Sequence, residues 1–213
     1  NGNIDFNNNK INNLKLESTF PNKKKIILTI KTNNKSETIT KLLTAYPKPL
    51  IKRYDFIKGF EEGYLNFFSS KKEGVSNSVL IIDNFKVKKV PVFARILSLA
   101  SLQGIADLLT GEGIRFTDFE MNFSNQKGVT TIDEMYAIGP AVSILMDGYI
   151  ETKKLVSLRG TLVPATTINR SIASIPLLGK ILIGNKTGEG IFGVSFKIKG
   201  SPKNLKTTVN PIK

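Results

Sequence analysis

The chain has 213 residues, 40% hydrophobic and 23% charged, with 31 Lys+Arg against 17 Asp+Glu and a net charge of +14. That length buries a sizeable core in one domain or two small ones, and the apolar content excludes a disordered chain. Cys, His and Trp are absent, which removes disulfides, thiolate nucleophiles, Cys-type zinc sites, Ser-His-Asp catalysis, HExxH chemistry and facial-triad iron.

Asn1 is not an initiator Met, and no apolar signal core comes after it. No stretch reaches the roughly 18 apolar residues of a membrane span. The chain is therefore expected to be a soluble piece of a longer protein, with any signal or anchor upstream.

Period-two alternation dominates from there on. Leu14 and Leu16, then Ile26, Leu28 and Ile30, read as strands with one apolar and one wet face. A helix is expected from near Ile39 to before Pro47, and another strand over Val79 to Val87. Pro91 opens, and Gly111 closes, a helix over Val92–Leu109 whose apolar residues cover most of its cylinder. Phe119, Met121 and Phe123 resume the alternation, as do Val142, Ile144, Met146 and Ile150. A short helix is expected over Thr166 to Ala173, and then an apolar run, Ile175 to Ile183, interrupted at Gly179 and Lys180. The clearest strand comes last, with Phe192, Val194, Phe196 and Ile198 alternating with Gly193, Ser195, Lys197 and Lys199. Joins are expected at Asn125–Gly128, Gly139-Pro140, Gly160 and Gly188–Gly190. Strands recurring roughly every 10 to 14 residues point to antiparallel meanders rather than βαβ units. The fold class is mainly β with a few helices (α+β).

The charge has two possible readings. Residues 1–90 hold 17 basic and 8 acidic groups, and residues 91–213 hold 14 and 9. Of the 31 cations 26 are Lys, whereas Arg is the residue suited to bidentate phosphate and base contacts. The richness in Asn, Lys and Ile is what an AT-rich genome produces, so the lysine excess reads mainly as compositional drift.

Few groups could carry chemistry. Glu61-Glu62 and Asp133-Glu134 are sequence neighbours, which in a strand point to opposite faces and do not converge. Asp118 and Glu120 share a face opposite Phe119 and Met121, as on a wet outer surface. Gly184-Asn185-Lys186-Thr187 lacks the spacing and context of a phosphate loop. Aromatics and lysines alternate over Phe192–Lys199, which places them on opposite faces, whereas a base-stacking platform needs them together. No catalytic residue, metal, cofactor or nucleic-acid partner is expected. What survives is a large supply of apolar strand faces beside a nearly all-apolar helix. That suits either an ordinary closed core or a curved sheet whose apolar face stays open to acyl chains.

The segment from Pro91 to Pro211 resembles the AsmA-like C-terminal region of YhdP-type large, inner-membrane-anchored proteins of Gram-negative bacteria. The resemblance is carried by Val90-Pro91, RILSLASLQGIADLLTGEGIRF (Arg95–Phe116), KGVTTIDEMYAIGPAVSILMDGYI (Lys127–Ile150) and LRGTLVPA (Leu158–Ala165). IPLLGKILIG (Ile175–Gly184), GEGIFGVSFKIKGSP (Gly188–Pro202) and Val209-Asn210-Pro211 complete it. It implies a curved antiparallel sheet forming a groove of AsmA-like repeat architecture. Residues 1–90 would continue the upstream groove, and 91–213 would be the AsmA-like C-terminal region. The implied role is a non-enzymatic conduit carrying phospholipid across the periplasm between inner and outer membranes, tethered through an upstream segment. Its partners would be phospholipid acyl chains, with membrane contact at the ends of the full-length protein. If a groove exists, its lining is Val142, Ile144, Met146 and Ile150, Phe192, Val194, Phe196 and Ile198, with Phe119, Met121 and Phe123. Two other readings stay open: a docking domain that binds an envelope protein through free strand edges, and a basic membrane-surface binder.

Overall fold

A computed structural model describes residues 1–7, 10–52, 59–164 and 193–211. Twelve strands form one open antiparallel sheet in strict chain order. The first six are β1 (Gly2–Asn7), β2 (Lys10–Thr19), β3 (Lys25–Thr32), β4 (Thr38–Thr44), β5 (Glu61–Lys72) and β6 (Val75–Val87). The second six are β7 (Ile114–Gln126), β8 (Val129–Ile138), β9 (Val142–Glu151), β10 (Leu155–Pro164), β11 (Val194–Ser201) and β12 (Asn204–Pro211). Because β6 pairs with β7, the sheet runs on across residue 90. Three short helices interrupt the meander: α1 (Lys48–Ile51), α2 (Pro91–Leu99) and α3 (Gln103–Thr110).

A simple meander sends its connections to two ends. Among the described residues, the tight turns β3–β4, β5–β6, β7–β8, β9–β10 and β11–β12 lie at one end, and the three helices lie at the other. Glu73-Gly74 and Lys127-Gly128 both have positive φ (51° and 80°, 49° and 82°), the mirror-image turn whose twist matches that of the flanking strands. The join expected at Asn125–Gly128 is this second turn. The short helix expected at Thr166–Ala173, the run Ile175–Ile183 and the join at Gly188–Gly190 lie outside the described residues.

Three expectations are corrected. Residues from Ile39 to Pro47 are not helical. Thr38–Thr44 is a strand hydrogen-bonded on both sides, to β3 and β5, and pairing on two edges outweighs a local helical pattern. The helix in this region, α1, instead starts after Pro47. Second, Val92–Leu109 is two helices. Leu102 N–H bonds Leu97 C=O (2.9 Å) and Ser101 N–H bonds Ser98 C=O (3.1 Å), with Ser101 at φ 58°. That is the hydrogen-bond pattern of a Schellman stop, made here without the glycine that would announce it. Third, Gly160 is no join. It sits in mid-β10, opposite Met146 and Phe196.

The helices lie on one face of the sheet. Phe93, Ile96 and Leu97 of α2 and Ala106 and Leu109 of α3 are buried in one cluster with Ile114, Phe116, Val142, Leu162 and Phe196. α2 packs on β12, and α3 on β7. Near this end β6 and β7 share a slip: their apolar residues run Leu80, Ile82, Phe85, Val87 and Ile114, Phe116, Phe119, Met121. The break in alternation falls at Asn84, which has φ 51°, beside Gly63 of β5 at φ 90°. The slip keeps Phe85 stacked between Phe60 and Phe116, each 5.4 Å away, and edge-on to Phe119.

Candidate functional site

Residues opposite one another in register share a face of the sheet, so the pairing fixes which side chains line up. One row crosses every strand. Over β1–β6 it reads Gly2, Leu16, Leu28, Leu42, Phe67 and Leu80. Over β7–β12 it reads Met121, Met135, Met146, Gly160, Phe196 and Val209. No member is polar. At about 4.8 Å per strand the row is about 50 Å long. Its seven consecutive members from Leu28 to Met146 are all half-buried, neither sealed in a core nor fully in water.

The ten described lining candidates all fall on this face. Phe119, Ile144 and Val194 stand in the row on one side of it with Ala137 and Leu162; Phe123 and Ile198 stand in the row on its other side, with Ile132 and Leu158. Their surroundings differ. Phe119, Met121, Phe123, Ile144, Met146 and Ile150 are half-buried, whereas Val142, Val194, Phe196 and Ile198 are buried. Val142 and Leu162 are 0% exposed, in the cluster that the helices cover. Phe192 lies outside the described residues.

Met135 is the member that sequence reasoning missed. The β8 register shifts between Ile132 and Met135, where Asp133 and Glu134 form a bulge. A bulge adds one residue and inverts the parity of the residues after it, so simple alternation puts Met135 on the wrong side. With it placed, all three methionines of the chain are neighbours on β7, β8 and β9. Leu42 escapes sequence reasoning for another reason, since its strand carries a local helical pattern.

The opposite face is mixed: Leu43, Tyr64, Phe68 and Tyr149 are exposed on it, beside a set of paired polar groups. Tyr136 donates to Glu120 (2.9 Å), which also accepts from Asn122 (2.9 Å). Burial, reinforced by the Glu120 carboxylate, pushes the Tyr136 phenol up to about 12. Arg115 clasps Glu62 through two hydrogen bonds and holds that carboxyl below its ordinary range, while Glu61 faces Lys88 at 3.5 Å. These carboxylates are thus each engaged by a different partner. A hollow of about 380 Å³ opens over β9–β12, lined by Leu145, Asp147, Arg159, Thr161 and Lys197 among others. Arg159 donates to Asp147 across it at 2.8 Å. Among the described residues no group of three acidic side chains stands together as a metal site, and no helix is long and apolar enough to cross a membrane.

No protein-family model, curated protein or solved structure matches the chain.

Proposed function

We propose that the chain is a segment of a lipid conduit, in which the sheet curves into a groove and acyl chains lie against its apolar face. The observation that carries this reading is the unbroken apolar row across twelve strands, half-open from Leu28 to Met146. The helix contacts support curvature. α2 packs on β12, while residues of both helices share one buried cluster with Ile114 and Phe116 of β7, five strands away. Bringing the outer strands up toward the helices makes a trough. The resemblance of Pro91–Pro211 to the AsmA-like C-terminal region supports the same architecture and a periplasmic setting between two membranes.

The physics of transfer asks for nothing more than such a surface. A two-chain lipid in water exposes on the order of 30 methylenes at roughly 0.8 kcal/mol each, some 20 kcal/mol or more. A continuous apolar lining removes most of that barrier without any reaction. Methionine suits the centre of the track, because its unbranched, polarisable side chain adapts to chains of different shape.

The test is to purify the chain and identify co-purifying lipid by native and denaturing mass spectrometry. Phospholipid at near-integer stoichiometry that survives high salt is expected. Ile144→Asp, on the half-open face, should abolish it, while Ser143→Asp, on the opposite face, should not. Val194 is buried, so a charge there reports on folding rather than on lining. Lipid-free protein would favour the docking reading, for which the edge strand β1 speaks: Ile4 and Phe6 are 46% and 59% exposed, beside a backbone edge able to pair with another strand.

A further inference from the structure

On β4–β8 the apolar face changes character toward the tight-turn end of the sheet, whereas on β9–β11 it stays apolar through Ile150, Val156 and Ile198. On β4 the face runs Leu42, Thr40, Thr38; on β5 it runs Phe67, Ser69, Lys71; on β6 it runs Leu80, Ser78, Ser76. On β7 and β8 Phe123 and Ile132 stand level with Ser69 and Ser78, and Asn125 and Thr130 follow level with Ser76. These polar groups satisfy one another: Ser78 donates to Ser69 (2.9 Å), Asn125 to Thr130 (2.8 Å), and the hydroxyls of Thr32 and Thr38 are 3.1 Å apart. Beyond this hydroxyl and amide band come the turns, and every described tight turn carries or adjoins an exposed lysine. They are Lys35, Lys71, Lys127, Lys153 and Lys203, one per hairpin, at a pitch of about 10 Å. Lys72 and Lys154 double the second and fourth. The glutamates in these segments are Glu37, already engaged by Ser70 and Asn33, Glu73, 3.9 Å from Lys72, and Glu151.

On β4–β8 apolar strip, hydroxyl or amide band and lysine row succeed one another in the order of acyl chain, ester region and phosphate in a glycerophospholipid. We propose that the lysine row is a rail for the head group, and that the groove therefore takes anionic phospholipids in preference to zwitterionic ones. The occupant is a single lipid monomer, tails on the apolar face and head at the turn end. The opposite end is also basic, with Lys23, Lys24, Lys25, Lys48, Lys52 and Lys89 exposed, but no charged residue stands in its β8–β9 connection, residues 139–141. There α2 and α3 also cover the apolar face, so a bound chain meets solvent at the turn end. The inference rests on the conduit reading and adds the lipid class and the edge on which the head travels.

The experiment measures uptake of phosphatidylglycerol and phosphatidylcholine with identical fluorescent chains by the full chain. Wild type is expected to favour phosphatidylglycerol roughly three- to ten-fold, the yield of two or three exposed charge contacts, and less as salt rises. The triple variant Lys71→Glu, Lys127→Glu, Lys153→Glu should bring the ratio to about one by lowering phosphatidylglycerol uptake. A charge-matched control, Lys24→Glu, Lys48→Glu, Lys89→Glu, should keep the preference. Equal uptake of both lipids by wild type overturns the rail and leaves the conduit standing. If neither lipid is taken up, the conduit reading falls and the rail with it. Loss of preference in both triples makes it an effect of net charge, and adsorption to phosphatidylglycerol vesicles without lipid extraction makes the chain a surface binder; either overturns the proposal.

Discussion

Gly160 faces Met146 on one neighbouring strand and Phe196 on the other, in the middle of the apolar row. A Cβ built there would stand 2.6 Å from the Phe196 ring and 2.3 Å from the Leu145 carbonyl oxygen. The glycine is thus the space that the ring occupies, and the join its sequence suggests is a packing position. Gly160→Val should push the ring off its seat and cost on the order of 1–3 kcal/mol, a fall of several degrees in melting temperature for a chain of this size. Gly104→Ala is the matched control. Nothing lies within 4 Å of a Cβ at that helical position, so alanine should stabilise by up to about 1 kcal/mol. An unchanged melting curve for Gly160→Val would show that Phe196 is loosely held and that the row is not tightly packed at this point.

At the scale of elements, the informative feature is the break between α2 and α3. One continuous helix over Val92–Leu109 would carry its apolar surface all round the cylinder, and a single sheet face can cover only one side of it. Stopping at Leu99 and restarting at Gln103 lets Leu97 and Leu109 both reach the core, where each is 0% exposed. Ser101 occupies the left-handed position that glycine prefers. Ser101→Gly should therefore stabilise the chain by up to about 1 kcal/mol. Thermal denaturation checks this, and a destabilised variant would mean that the serine side chain supports the break. Pro91 at the helix start was legible in the sequence, because its missing N–H costs nothing there. The stop was not, because the residue that makes it is ordinary.

At the scale of the whole molecule, the three methionines become a probe. Met121, Met135 and Met146 are adjacent, half-buried and central to the track. Peroxide should convert them to sulfoxides in lipid-free protein, and bound lipid should slow that reaction at all three together, read by peptide mass spectrometry. Sulfoxidation replaces an apolar side chain by a polar one, so oxidised protein should also take up less lipid. Oxidation rates indifferent to lipid at all three would place the ligand away from the track.

Composition and period-two alternation were enough to define an antiparallel, mainly β chain without the residues of the common catalytic sites. Alternation is a local consequence of the pleat and can be read residue by residue. It also placed Ile144, Met146 and Phe119 on one face, since these show their side of the strand directly. What alternation cannot carry is register and phase. The bulge at Asp133-Glu134 and the left-handed Asn84 each shift the parity of the residues beyond them, and only pairing with neighbouring strands reveals by how much. Likewise β4 is a strand because β3 and β5 offer it two hydrogen-bonded edges, a non-local condition. The twelve-member apolar row and the lysines at successive turns are properties of that register, assembled from residues far apart in the chain, and only the tertiary structure brings them into line.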